Sequence, residues 1–131
     1  MARTLRSTLS GVWLMQTIKM SVPVPCRIEY SVRHKGSGNN DLRVRFGSYW
    51  HLLWGNVHDF KIEPGKSKSR TDEVGKDTSG SDDARQDVRW RLSRGALTKA
   101  ISWELTYTVT RLKTEADVTD ECEVTMTKED S

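Results

Sequence analysis

Little in this 131-residue chain invites a catalytic reading. It has two cysteines, three prolines and three histidines. Two cysteines are too few for a disulfide scaffold or a four-cysteine zinc site. No run of 18 apolar residues occurs, which excludes a membrane-spanning helix. His51 and His58 stand seven apart, without His-Glu-x-x-His or another ligand spacing. The many serines form no nucleophile elbow. No catalytic residue, no metal and no cofactor is therefore expected. An apolar stripe of period 3.6 is also missing from every window, so helices are not expected.

Acids are absent from the start of the chain. Arg3, Arg6, Lys19 and Arg27 precede the first acid, Glu29. Setting these four aside leaves 17 bases against 18 acids, so the N-terminus makes the net charge of +3. A near-neutral body argues against nucleic acid as a partner. Residues 1–25 read as a basic leader. They suit a transit-like segment, a start placed ahead of a true one at Met20, or an ordered arm. The apolar run from Gly11 to Met15 is too short for a conventional secretory signal. The expected domain is then 26–131.

What is present is alternation. Cys26–Arg33, Leu42–Phe46, Val88–Leu92, Ile101–Val109 and Cys122–Thr127 each switch between apolar and polar residues. Period two gives one buried and one wet face, as in antiparallel sheets. The gaps carry turn chemistry. Lys35–Asp41 reads as a hairpin loop, Glu63-Pro64-Gly65-Lys66 as a tight turn, Gly75–Asp87 as a long polar loop and Ser93–Gly95 as a short turn. The predicted fold is all-β, a single antiparallel β-sandwich.

Several constellations stand out. Tyr49-Trp50-His51-Leu52-Leu53-Trp54 places three aromatic rings within six residues. On a strand, Trp50, Leu52 and Trp54 face one way and Tyr49, His51 and Leu53 the other. Such rings serve a core, a lipid boundary, a sugar or a protein contact. Arg43, Arg45, Arg89 and Arg91 alternate on two strands. If those strands pair, they make a basic stripe able to meet phosphates, or a solvated face paired with acids. Cys26 and Cys122 open the first and last clear strands. They read as buried thiols, with a disulfide as the alternative.

Phe60-Lys61-Ile62-Glu63-Pro64-Gly65-Lys66-Ser67 resembles the I-x-P-G-x-S turn of aegerolysin-like proteins, the fungal aegerolysins and the small subunit of binary insecticidal crystal toxins. Ile28–Val32, Leu42–Val44, Trp50–Trp54, Thr78–Asp82, Ile101-Ser102-Trp103-Glu104 and Val124–Thr127 fall in the family's order. Actinoporin-like cytolysins are a weaker match. The resemblance implies a non-enzymatic sandwich that binds membrane lipid of sphingolipid or sterol type and recruits a larger pore-forming protein. The sequence leaves the compartment open, secreted or cytoplasmic without a conventional signal peptide, with the protein peripheral on the membrane when bound. Carried over by position, the lipid-binding residues are Trp50, Trp54 and Trp103, with Glu104 beside them. Tyr49, His51 and Tyr107 join them on exposure reasoning. The alternative is a structural or interaction module, such as a capsid, tail or organelle-complex subunit. A lectin using the same rings on sugar is the third reading.

Overall fold

Alternating segments become strands because each can bury one row of side chains and leave the other wet. The computed structural model describes residues 1–36, 40–50, 53–75, 84–95 and 99–129, with the Trp50 side chain outside that description. Its strands are β1 (Arg3–Leu9), β2 (Met15–Pro23), β3 (Cys26–His34), β4 (Leu42–Trp50), β5 (Leu53–Ile62), β6 (Ser67–Val74), β7 (Arg85–Ser93) and β8 (Ile101–Arg111). A two-residue β9 (Ala116–Asp117), one 3-10 turn (Thr119–Glu121) and β10 (Val124–Glu129) follow.

Two antiparallel sheets result. One has the order β1-β8-β3-β6, with β9 pairing β8, and the other β10-β2-β7-β4-β5. Strands 1, 8, 3 and 6 facing 2, 7, 4 and 5 give the interleaving of an eight-stranded jelly roll. The inner faces meet in a core around Trp90, which is fully buried. Its ring lies 5.1 Å from Phe46, 5.4 Å from Tyr107 and 5.5 Å from Tyr30. Tyr30 on β3 reaches across to β5, where its hydroxyl and His58 Nδ1 are 2.8 Å apart. Burial holds His58 below its ordinary pKa and pushes Tyr30 up. At the β5–β6 edge, Arg70 lies 4.5 Å from the Phe60 ring centroid and covers the open side.

The expected all-β sandwich is observed. Of the three readings of residues 1–25 the ordered one describes them, so the domain starts before residue 26, and two local expectations are corrected. β1 pairs β8 from Arg3 to Leu9, and β2 lies between β10 and β7. Leu9, Ile18, Met20 and Val22 are buried, so this segment is part of both sheets. Lys35–Asp41 is not a hairpin loop, because β3 and β4 belong to different sheets. The last strand begins at Val124, two residues later than the alternation suggested, since Cys122 follows the 3-10 turn. The Glu63–Lys66 turn forms as expected. Lys66 N–H donates to the Glu63 carbonyl at 3.0 Å, and Gly65 supplies a φ of 80°.

Both cysteines are free and buried. Burial pushes Cys26 up to about 12 and Cys122 up to about 11, so both stay protonated thiols at neutral pH. Arg94 is buried and donates to the carbonyls of Gly11 and Trp13, clamping the β1–β2 connection.

Candidate functional site

The expected lipid-contact residues do not converge. Trp103 and Tyr107 point inward from β8 and are 0% and 1% exposed. Both are core residues, which overturns their assignment as membrane-facing rings. Glu104 lies on the opposite, outer face of the same strand. It accepts from Arg6 Nε at 3.1 Å and pairs with Lys35 Nζ at 2.8 Å, which holds its carboxyl below the usual range. Trp54 and Tyr49 lie on the other sheet, opposite each other in the β4–β5 register. His51 and the Trp50 side chain lie outside the described residues.

The outer face of the β10-β2-β7-β4-β5 sheet is where chemistry gathers. β4 does pair β7, and the pairing sets Arg45 directly opposite Arg91. The registers of β2, β7, β4 and β5 place Thr17, Arg91, Arg45 and Asp59 in one row across the sheet. The next row holds Lys19, Arg89, Gly47 and Asn56. Paired side chains in a row begin about 5 Å apart. Arg43 is neutralised by Asp59 through two hydrogen bonds of 3.0 and 2.7 Å. Arg45, Arg89 and Arg91 have no carboxylate within ion-pair distance among the described residues. Their Nε atoms are buried and unbonded. Arg45 donates through Nη2 to the Met15 thioether at 3.5 Å, a weak acceptor. Burial and the neighbouring guanidinium groups, Arg91 above all, hold Arg45 and Arg89 below the ordinary arginine pKa.

Gly47 shapes this face. It sits at a register shift between Phe46 and Gly47, and a Cβ there would run into the Gly55 carbonyl. It leaves no side chain between Arg89 and Trp54. The Trp54 ring lies on the same face, with the Arg89 guanidinium 4.2 Å and the Lys19 ammonium 5.8 Å from its centroid. Tyr49 flanks it at 5.1 Å. Leu53, beside Trp54 in sequence, is 73% exposed. At the far end the face runs into a cleft of about 430 Å³ lined by Asn40, Asp41, Arg43, Lys61, Ser93 and Arg94. Among the described residues, no three His, Cys, Asp or Glu side chains assemble as a metal site. No described helix is long and apolar enough to cross a membrane.

Sequence reasoning found the arginine stripe and missed Lys19, which it set in the leader. The alternation of Ile18, Met20 and Val22 around it was the available signal.

No family model matches the chain, and no curated protein matches it significantly. Solved structures do resemble it. A mitogen from Yersinia pseudotuberculosis superposes with a TM-score of 0.54 at 13% identity, over 81% of this chain and 83% of the mitogen. That likeness establishes the shared sandwich fold. A periplasmic inhibitor of g-type lysozyme from Aeromonas hydrophila gives a TM-score of 0.46 at 9% identity, over 83% and 86% of the two chains. A CBM4 protein gives 0.44 at 12%, over 96% and 84%. None of these three is an aegerolysin or an actinoporin.

Proposed function

We propose that the protein is a non-enzymatic interaction module that docks an acidic partner surface on the outer face of its five-stranded sheet. One observation carries this reading: Arg45, Arg91 and Arg89 lie side by side with no carboxylate within ion-pair distance among the described residues, Asp59 being taken by Arg43. Like charges directly opposite on a sheet destabilise it. A face that keeps them in register is suited to an external anion that offsets the repulsion.

A membrane is the second reading, favoured by Leu53 exposed beside Trp54 and Tyr49 on the same sheet as Lys19 and Arg89. Cations would meet anionic headgroups while the apolar groups enter the interface. Sugar stacking gains least support, because Arg89 already lies on the Trp54 ring.

The test is co-sedimentation with phosphatidylcholine vesicles, with and without phosphatidylserine, alongside heparin affinity chromatography at low and high salt. The wild type is compared with Arg89→Gln/Arg91→Gln, its fold checked by circular dichroism. Salt-sensitive binding to heparin or to anionic vesicles, lost in the folded variant, is the expected result. Vesicle binding assigns the membrane, and heparin binding alone assigns a soluble polyanion. Equal behaviour of wild type and variant overturns the proposal.

A further inference from the structure

We infer that Arg45 and Arg91, with Arg89 beside them, form a site for one tetrahedral oxyanion, a phosphate or sulfate carried free or as an ester. The inference rests on the reading of this face as the docking surface and names the chemistry it recognises.

The geometry begins with the register. Arg45 and Arg91 are direct partners across β4 and β7, and Arg89 follows two residues before Arg91 on the same face. Their side chains thus start about 5 Å apart across the strands and about 7 Å along one. Each guanidinium carries up to five donors in a planar fork. Two forks at this spacing can grip different edges of one tetrahedral anion, whose oxygens accept from both. A single carboxylate has two oxygens and serves two forks less fully.

The nearby acceptors are already engaged or weak. Asp59 is held by both arms of Arg43. Glu129 accepts from the Thr17 hydroxyl at 2.9 Å. Arg45 is left to donate to a thioether. The Nε atoms of all three arginines are buried with no partner. Leaving buried donors on charged groups unbonded is costly, and three in two adjacent rows of a sheet show that the described residues do not satisfy these guanidiniums from within, so that an anion would have to meet their outer Nη ends. Trp54 fixes one of the three, because its ring lies against Arg89 and limits the guanidinium's freedom. Preorganisation of this kind lowers the ordering cost of binding.

The experiment is thermal unfolding of the full chain with a few millimolar inorganic phosphate or sulfate, against sodium chloride at matched ionic strength. At ten times the dissociation constant, the site-specific shift should be about 4–7 °C upward for a chain of this size. Arg45→Gln and Arg91→Gln should each melt higher than wild type without anion, because one like-charge contact is gone. Each should lose most of the anion-specific shift. Arg45→Lys keeps the charge and removes the fork, and should retain only a minor part of the shift. Vesicles of phosphatidylcholine with phosphatidate supply the same phosphate on a lipid, so their co-sedimentation separates a headgroup from a free ion.

A phosphate or sulfate shift lost in both glutamine variants supports the site even if neither vesicles nor heparin bind, in which case the docking role fails alone. Equal shifts with chloride and sulfate, or a sulfate shift unchanged in Arg45→Gln and Arg91→Gln, overturn the site.

Discussion

The two sheets present outer faces built on the same alternation and filled with opposite logic. On β1, β8, β3 and β6 the outward residues are mostly hydroxyls and compensated charges. Thr4 bonds Thr106 at 3.0 Å and Thr8 bonds Ser102 at 2.8 Å. Glu104 sits between Arg6 and Lys35, and Arg27 between Glu29 and Glu115. On β2, β7 and β4 the outward residues include Arg43, held by Asp59, and three arginines and a lysine without an ion pair among the described residues, with Trp54 lying among them. The first face satisfies itself. The second leaves buried donors open. A solvated face tends toward the first arrangement, because it is cheaper to keep. The second is the arrangement expected of a surface completed by something else.

The hardest blow to this comparison falls beneath both faces. Trp90 is buried against Phe46, Tyr30 and Tyr107, which belong to both sheets. Trp90→Ala should cost about 3–5 kcal/mol, seen as a large fall in the urea midpoint, and both faces should be lost in one transition. Two separate transitions would mean the sheets are stabilised independently.

Gly47→Val strikes one face only. Its side chain must displace the backbone of Gly55 and Asn56, which leads directly to Trp54 on β5. A cost of about 2–3 kcal/mol is expected, as for other overpacked sites. Trp fluorescence should change as Trp54 leaves Arg89. The pairs around Glu104 should persist.

These two residues also mark how far the sequence could be read. Trp90 sat in an evident alternating strand, so its burial followed from period two. The same rule gave β3, β8 and most of β4 and β7. It did not give β6, where Lys68, Arg70 and Asp72 occupy the inward side of an edge strand. There the inward side of Lys68 and Arg70 meets a single ring, Phe60 on the edge strand β5 of the other sheet, rather than a closed core. It also failed for β1 and β2, where basic residues masked Ile18, Met20 and Val22. The arginine stripe was legible as a condition, since it needed β4 to pair β7. Trp54 on Arg89 was not legible, because it depends on how β5 pairs β4 across a register shift and on β4 pairing β7. Trp103 and Tyr107 misled by chemistry. Both have polar tips that suit a boundary, and in both the tip is buried with the ring.

Replacing Arg91 by glutamate sharpens the contrast by giving the second face the logic of the first. In Arg91→Glu the new carboxylate would stand opposite Arg45 and beside Arg89. An opposite-charge pair across strands contributes about 0.2–1 kcal/mol, and the like-charge repulsion is removed as well. The melting point should rise while polyanion binding on heparin disappears. A fall in stability would show that the arginine row is held by contacts other than those described.

The smallest effect separates the faces by the variable each answers to. Lys35 and Arg6 hold the Glu104 carboxyl below its ordinary value. A depressed carboxylate contributes stability above its unfolded pKa and loses it as pH falls through the folded one. Glu104→Gln should therefore change little near neutrality, because surface pairs are weak and this one faces solvent. Its acid limb should be slightly shallower than that of the wild type. Arg45→Gln should leave the acid limb alone, since a guanidinium does not titrate there. Its advantage should instead shrink with added sodium chloride, as screening weakens the repulsion it removes. Melts on a grid of pH and salt thus separate the faces: pH moves the Glu104 variant alone, while salt shrinks a small deficit in the Glu104 variant and an advantage in the Arg45 variant. If Arg45→Gln showed a deficit that salt shrinks, as Glu104→Gln does, the two faces would share one electrostatic logic, and the case for an external anion on the arginine face would lose its footing.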